Sequence, residues 1–171
     1  MNWLLILLRL SHILFGLLWV GMMAFTVIFL GPALRDAGPA AGQSVMAALQ
    51  RRGLMLAMPL IALVTIISGI MLMYRLYPNM EAFSATDMGQ ALMFGALAAL
   101  TSFALGLVVM RPAMVKAGKL SQSLAAAPTD AERAELGARI QRLRARGSLT
   151  GWVAFALLLF AAGAMAVARY L

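Results

Sequence analysis

Few residues in this chain can do chemistry, and His12 heads them. It is the single histidine among 171 residues; there is no cysteine, and none of the six side-chain carboxylates falls inside a long apolar run. That composition excludes a catalytic triad, a carboxylate pair, a di-metal centre and any thiolate-ligated cluster, and no glycine-rich phosphate loop is present. His12 lies within an apolar stretch, where an ionisable side chain is costly and is by default a functional candidate. At about 100° per residue, Arg9, His12, Gly16, Trp19 and Met23 fall along one helical stripe, with Phe15 at its edge. A neutral imidazole there could ligate a metal or a haem iron. Arg9, one turn nearer the N-terminus, would then meet a propionate or snorkel to phosphate. Gly16, one turn further on, leaves room for a flat ring that Phe15 and Trp19 would wall. The same residues also fit plain packing, with His12 hydrogen-bonding Thr65, Ser68, Thr101 or Ser102 on a neighbouring helix.

A second axial ligand has to come from another helix. Met23 shares the stripe but lies roughly 16 Å along the axis from His12, too far to reach the same ion. Met71, Met93 and Met165 are the candidates; otherwise the iron is five-coordinate or a symmetric dimer supplies a second His12. Fourteen methionines also invite a copper reading, since thioethers suit Cu(I). The pairs Met22 and Met23, Met55 and Met58, and Met71 and Met73 would carry it. Against that stands methionine's ordinary use as a flexible apolar filler.

The elements that must position these residues follow from composition. Apolar residues make up 63% of the chain and charged residues 12%, more apolar surface than a soluble fold of this length can hide. The apolar residues are gathered in four runs of membrane-spanning length, at about 3–30, 53–74, 90–110 and 149–170. Gly31-Pro32 is expected to end the first helix, Ser44 to cap a helix leading into the second, and Pro59 to lie inside that second span. The first run is too long, and lacks the preceding basic residues, for a cleaved signal peptide.

Charge sets the expected orientation. The segments 31–52 and 111–148 carry eleven of the fourteen Lys and Arg residues, whereas the segment between spans two and three has Arg75 with Glu81 and Asp87. The excess of positive charge places 31–52 and 111–148 in the cytoplasm and both termini outside it. Trp3, Tyr74, Tyr77 and Tyr170 fall at the outer boundary, as an aromatic belt would. A net charge of +8 in this setting points to anionic lipid rather than to nucleic acid. Thr129 and Glu132 form a capping-box pattern ahead of Ala131, Leu136, Ile140 and Leu143, which share a helical face. Arg133, Arg139, Arg142, Arg144 and Arg146 surround that face, and Glu135 can pair with Arg139. This reads as an interfacial helix over about 130–146 lying on anionic headgroups, or docking a soluble partner.

Several of these residues carry a family resemblance. Leu8-Arg9-Leu10-Ser11-His12-Ile13-Leu14, followed by Trp19 and Gly21, resembles the first span of CopD-like and HemJ-type membrane proteins. Arg51-Arg52, Pro59, Ser68-Gly69 and Arg111-Pro112-Ala113 with Lys116 extend the likeness over about residues 4–120. The resemblance implies a four-helix core in which His12 ligates b-type haem, or in which His12 and nearby methionines face copper. HemJ-type proteins usually carry a His and a Lys entering the third span, where this chain has Gln90, Ala91 and Leu92. What carries over is therefore haem binding more than protoporphyrinogen oxidation.

The sequence thus leads to an all-α, up-and-down four-helix bundle in a bacterial cytoplasmic membrane, one domain over 1–171. Its expected centre is His12 with Arg9, Gly16, Phe15 and Trp19, either in an isolated dimer or in a larger complex. The competing expectation is a cofactor-free accessory subunit that packs through Ser102, Gly106, Ala162, Gly163 and Ala166.

Overall fold

The computed structural model describes residues 2–124 and 127–171. Among these the chain is 92% helical and has no strand. Four stretches are long and apolar enough to cross a membrane: Trp3–Asp36, Leu54–Leu76, Asp87–Leu124 and Asp130–Tyr170. Their outward faces are apolar; Leu17, Leu56 and Leu97 are 66%, 63% and 60% exposed, a surface that hydrocarbon solvates and water does not.

The first stretch comprises α1 (Trp3–Ala24), a π-helical turn (Phe25–Leu30) and α2 (Gly31–Asp36). Gly31-Pro32 was expected to stop this helix and does not. Proline lacks the N–H that continues the ladder, and its ring crowds the carbonyl four residues back. The π turn just before Pro32 widens the ladder where the ring has to fit. The third stretch repeats the device: α6 (Asp87–Leu105) passes through a π turn (Gly106–Met110) into α7 (Arg111–Leu124), with Pro112 at its start.

Between α2 and the second stretch, α3 (Gly38–Arg51) folds back on α2; a Cβ at Gly42 would stand 3.2 Å from the Leu34 carbonyl oxygen. Ser44 is therefore inside α3 and caps nothing. Gly38 and Gly53, both at φ 82°, turn the chain at the two ends of α3, a backbone conformation that costs glycine little. Gly53 separates α3 from α4 (Leu54–Leu76), which contains Pro59 as expected. The short α5 (Met80–Ser84), capped by Asn79, leads to Thr86, which caps α6. Tyr77 stacks on Phe83 at 3.8 Å and fixes this turn.

The last stretch is α8 (Asp130–Val167), followed by a 3-10 turn (Ala168–Tyr170). Residues 130–146, expected as a helix of their own, are the first turns of α8 and run on into the fourth span. At 38 residues α8 is about 57 Å long, against roughly 30 Å of hydrocarbon. Its first half packs along α7: Ala113, Ala117 and Ser121 are buried on α7, Ile140 and Gly147 on α8, and Ala113 Cβ stands 4.0 Å from a Cβ position at Gly147. Of the face expected to lie on lipid, Ile140 is buried, Leu136 and Leu143 are half-buried and Ala131 is exposed, and Arg144 donates to Ser121 Oγ at 3.5 Å. Thr129 does cap the helix, accepting from the Glu132 N–H. The ion pair among the described residues is Arg133–Asp130 at 2.9 Å, not Glu135–Arg139.

Two antiparallel pairs build the bundle. Gly16 meets Thr65 and His12 meets Gly69 in the α1–α4 seam; Gly95 meets Ala161, and Ser102 donates to the Ala154 carbonyl at 2.9 Å, in the α6–α8 seam. A core of Trp19, Met23, Ala62, Ala154, Phe155 and Leu158 joins the pairs.

Candidate functional site

His12 sits where α1 lies closest to α4. Its Nδ1 is 2.8 Å from the Thr65 carbonyl oxygen. A carbonyl only accepts, so the neutral ring carries its proton on Nδ1 and leaves Nε2 with a free lone pair. Ser68 Oγ also donates to that carbonyl, at 3.1 Å, and Thr65 Oγ1 donates back to Ile61 O at 3.0 Å. The hydroxyls on this face of α4 are thus tied to their own helix, and His12 bonds the backbone rather than the Ser or Thr side chains expected from sequence. Half-buried His12 makes no hydrogen bond through Nε2 among the described residues. An imidazole oriented by one N–H on a backbone carbonyl, with its other nitrogen unengaged, is the usual arrangement of a ligating histidine.

Gly69 makes this placement possible. A Cβ there would stand 2.7 Å from His12 Cε1 and 2.9 Å from Nδ1, so only glycine lets the ring lie against α4. Sequence reasoning noted Ser68-Gly69 as part of a likeness but gave Gly69 no role; a glycine near the end of an apolar span, among Thr65 and Ser68, was the signal available. Gly16 behaves differently from its expected role. Its missing Cβ faces Thr65 Cγ2 at 3.5 Å, so the notch is filled by α4 and leaves no room for a ring.

The remaining residues of the stripe spread along the bundle. Arg9 is exposed and borders a groove of about 100 Å³ with Leu5, Ile6, Leu72 and Leu76. Phe15 is half-buried. Trp19 is buried in the core, edge-on to Phe103 at 6.3 Å, and therefore walls a different space from the one beside His12. The three methionines proposed as second ligands differ in their surroundings. Met71 and Met93 are 40% and 43% exposed, and Met165 packs its Cγ at Gly95 in the α6–α8 seam. Met71 and Met73 are two residues apart on one helix and face different ways, one exposed and one half-buried. Among the described residues no three His, Asp or Glu side chains gather as a metal cluster.

A second space, of about 210 Å³, was not anticipated. It lies at the basic end of the bundle between the first, second and third stretches, and Met23, Met46, Met55, Met58, Met110 and Met114 line it. The methionines that looked scattered along the sequence are brought together here by the π turns and by α3 folding back. Two of these sulfurs point at α8: Met110 Sδ is 3.8 Å from a Cβ position at Gly151, and Met114 Sδ is 3.3 Å from one at Gly147.

The chemistry of His12 fits a haem or metal ligand in its donor atom. The groove beside Arg9, which His12 does not line, is too small to enclose a macrocycle, so a ring would lie against the bundle surface or between two copies. Comparison with family models, with curated proteins and with solved structures found no match to this chain.

Proposed function

We propose that this chain is a multi-pass membrane protein that binds b-type haem through His12 Nε2, a small relative of the CopD-like and HemJ-type proteins. The observation that carries the reading is the Nδ1 hydrogen bond to Thr65 O, which orients the ring and keeps Nε2 free. Arg9, one helical turn toward the N-terminus and exposed, is the cation for a propionate. Haem held in this way would supply one-electron transfer. Two copies apposed along the α1–α4 seam would give the ring a second face and a second His12. The bundle runs up and down through a bacterial cytoplasmic membrane, with the basic α2–α3 and α7–α8 end in the cytoplasm.

The test is an absorption spectrum of detergent-purified protein expressed with haem supplied, oxidised and reduced, beside His12→Ala. A Soret band lost in the variant supports ligation by His12. A colourless wild-type protein overturns it.

One observation favours a second reading, a cofactor-free accessory subunit. Ala162, Gly163 and Ala166 lie exposed on α8, and a Cβ at Gly163 would meet nothing within 4 Å. Such a strip suits close approach by a partner helix. The other small residues considered for this role are used internally: Ser102 bonds Ala154 O and Gly106 lines the methionine cavity. Co-purification with a larger assembly favours this reading; an isolated coloured dimer counts against it.

A further inference from the structure

The methionine-lined cavity lies apart from His12, and its walls say what it can hold. Three of its helices are irregular at this level: the π turn Phe25–Leu30 contributes Thr26 and Leu30, the π turn Gly106–Met110 contributes Gly106, Leu107 and Met110, and α4 contributes Pro59. Irregular turns of this kind concentrate at functional sites. The two hydroxyls in the wall are already committed, Thr26 Oγ1 to Met22 O at 2.7 Å and Ser102 Oγ to Ala154 O at 2.9 Å. Apart from Arg111, the lining side chains offer a water no uncommitted hydroxyl, amide or carboxylate, so the apolar walls suit hydrocarbon. Methionine side chains adapt to a flexible chain without a fixed shape.

Charge at the rim selects the rest of the occupant. Arg111 lines the cavity and is exposed. Arg35 adjoins the lining residue Leu34, and Arg51 and Arg52 lie just before the lining residue Leu54; Asp36 is the one acid in that segment. We infer that this cavity takes one acyl chain of an anionic phospholipid, whose phosphate is held by Arg111. Met46 on α3, the helix bracketed by Gly38 and Gly53, also lines the cavity. The inference is independent of haem binding by His12, but it rests on insertion of the bundle in a bilayer.

The test uses single-tryptophan proteins in vesicles containing phospholipids brominated on the acyl chain, which quench indole fluorescence on contact. Trp19 is 6% exposed and lines the cavity, whereas Trp152 is 47% exposed on the outer surface of α8. Trp3→Phe/Trp152→Phe reports the cavity, and Trp3→Phe/Trp19→Phe reports lipid at the bundle surface. A small fraction of brominated phosphatidylglycerol in phosphatidylcholine is expected to quench Trp19 about five-fold more effectively than the same fraction of brominated phosphatidylcholine. Arg111→Gln abolishes that preference. Gly106→Leu, which places a side chain where a Cβ would meet nothing, removes the quenching by either lipid with helicity unchanged. Trp152 is quenched equally by both lipids in every variant. Trp19 left unquenched, or quenched equally by both lipids and unaffected by either substitution, overturns the inference. Trp152 unquenched by any lipid overturns the insertion beneath it, and the inference with it.

Discussion

His12 and Gly69 occupy a single volume: the imidazole lies where any side chain at Gly69 would have to be, with Cε1 2.7 Å from the missing Cβ. Ring position, tautomer and the free Nε2 all follow from that one contact and from the 2.8 Å bond to Thr65 O.

Gly69→Ala is therefore expected to push the ring off α4 and break the Nδ1 bond. Haem content should fall about 10-fold or more, the usual cost of removing a ligand's outer-shell partner. Helix propensity favours alanine over glycine by about 1 kcal/mol, so the fold should survive. Gly21→Ala, at an open and exposed position, is the control. The Soret absorbance per polypeptide, with circular dichroism of both variants, decides; a full Soret band in Gly69→Ala would show that the ring does not need this seat.

Gly16→Leu should act on packing. Four added carbons against Thr65 Cγ2 pry α1 from α4 and are expected to destabilise the bundle by roughly 1–3 kcal/mol. Gly16→Ala, whose Cβ makes an ordinary contact at 3.5 Å, should be close to neutral. Unfolding titrations in mixed micelles compare the two, and equal stability for Leu and Ala would contradict the seam described here.

Ser102→Ala removes the hydrogen bond from Oγ to Ala154 O that ties α6 to α8. Interhelical bonds of this kind contribute about 0.6 kcal/mol on average and up to about 1.7. The same titration should show a loss in that range, with no change in any bound cofactor. A loss several times larger would mean that Ser102 does more than bridge the two helices.

Met71→Leu/Met73→Leu should leave copper tolerance unchanged. The two thioethers diverge around α4 and cannot close on one ion. Growth of expressing cells across a copper series is the measurement, and a reproducible change in tolerance would restore a copper role.

Much of the architecture was legible because apolar run length and charge placement are strong signals. The four long helices, the Thr129 cap and Pro59 within α4 could all be read directly. Helix ends were harder. Pro32 and Pro112 look like stops, yet a π turn before each lets the helix continue, and nothing in the local composition announces a π turn. The segment 130–146 was correctly read as helical, but it continues into the fourth span and packs along α7, with Arg144 reaching Ser121 twenty-three positions earlier. At the site, the stripe identified His12, but a helical wheel gives the direction of a side chain and not its neighbour. It could not show that Gly16 faces Thr65 or that Gly69 receives the ring.

The π turns have one more effect, on rotational phase. Each carries about one residue more than the equivalent stretch of α-helix, and one residue is about 100° of rotation. Everything beyond Met110 is turned by that angle relative to a regular continuation of α6. Ala113, Ala117 and Ser121 face α8 only with this offset included. A deletion of one residue between Gly106 and Met110 would leave α7 equally helical and equally long, but would turn its small-residue face away from α8, so that the arm at the basic end would lose its partner without losing a single contact residue.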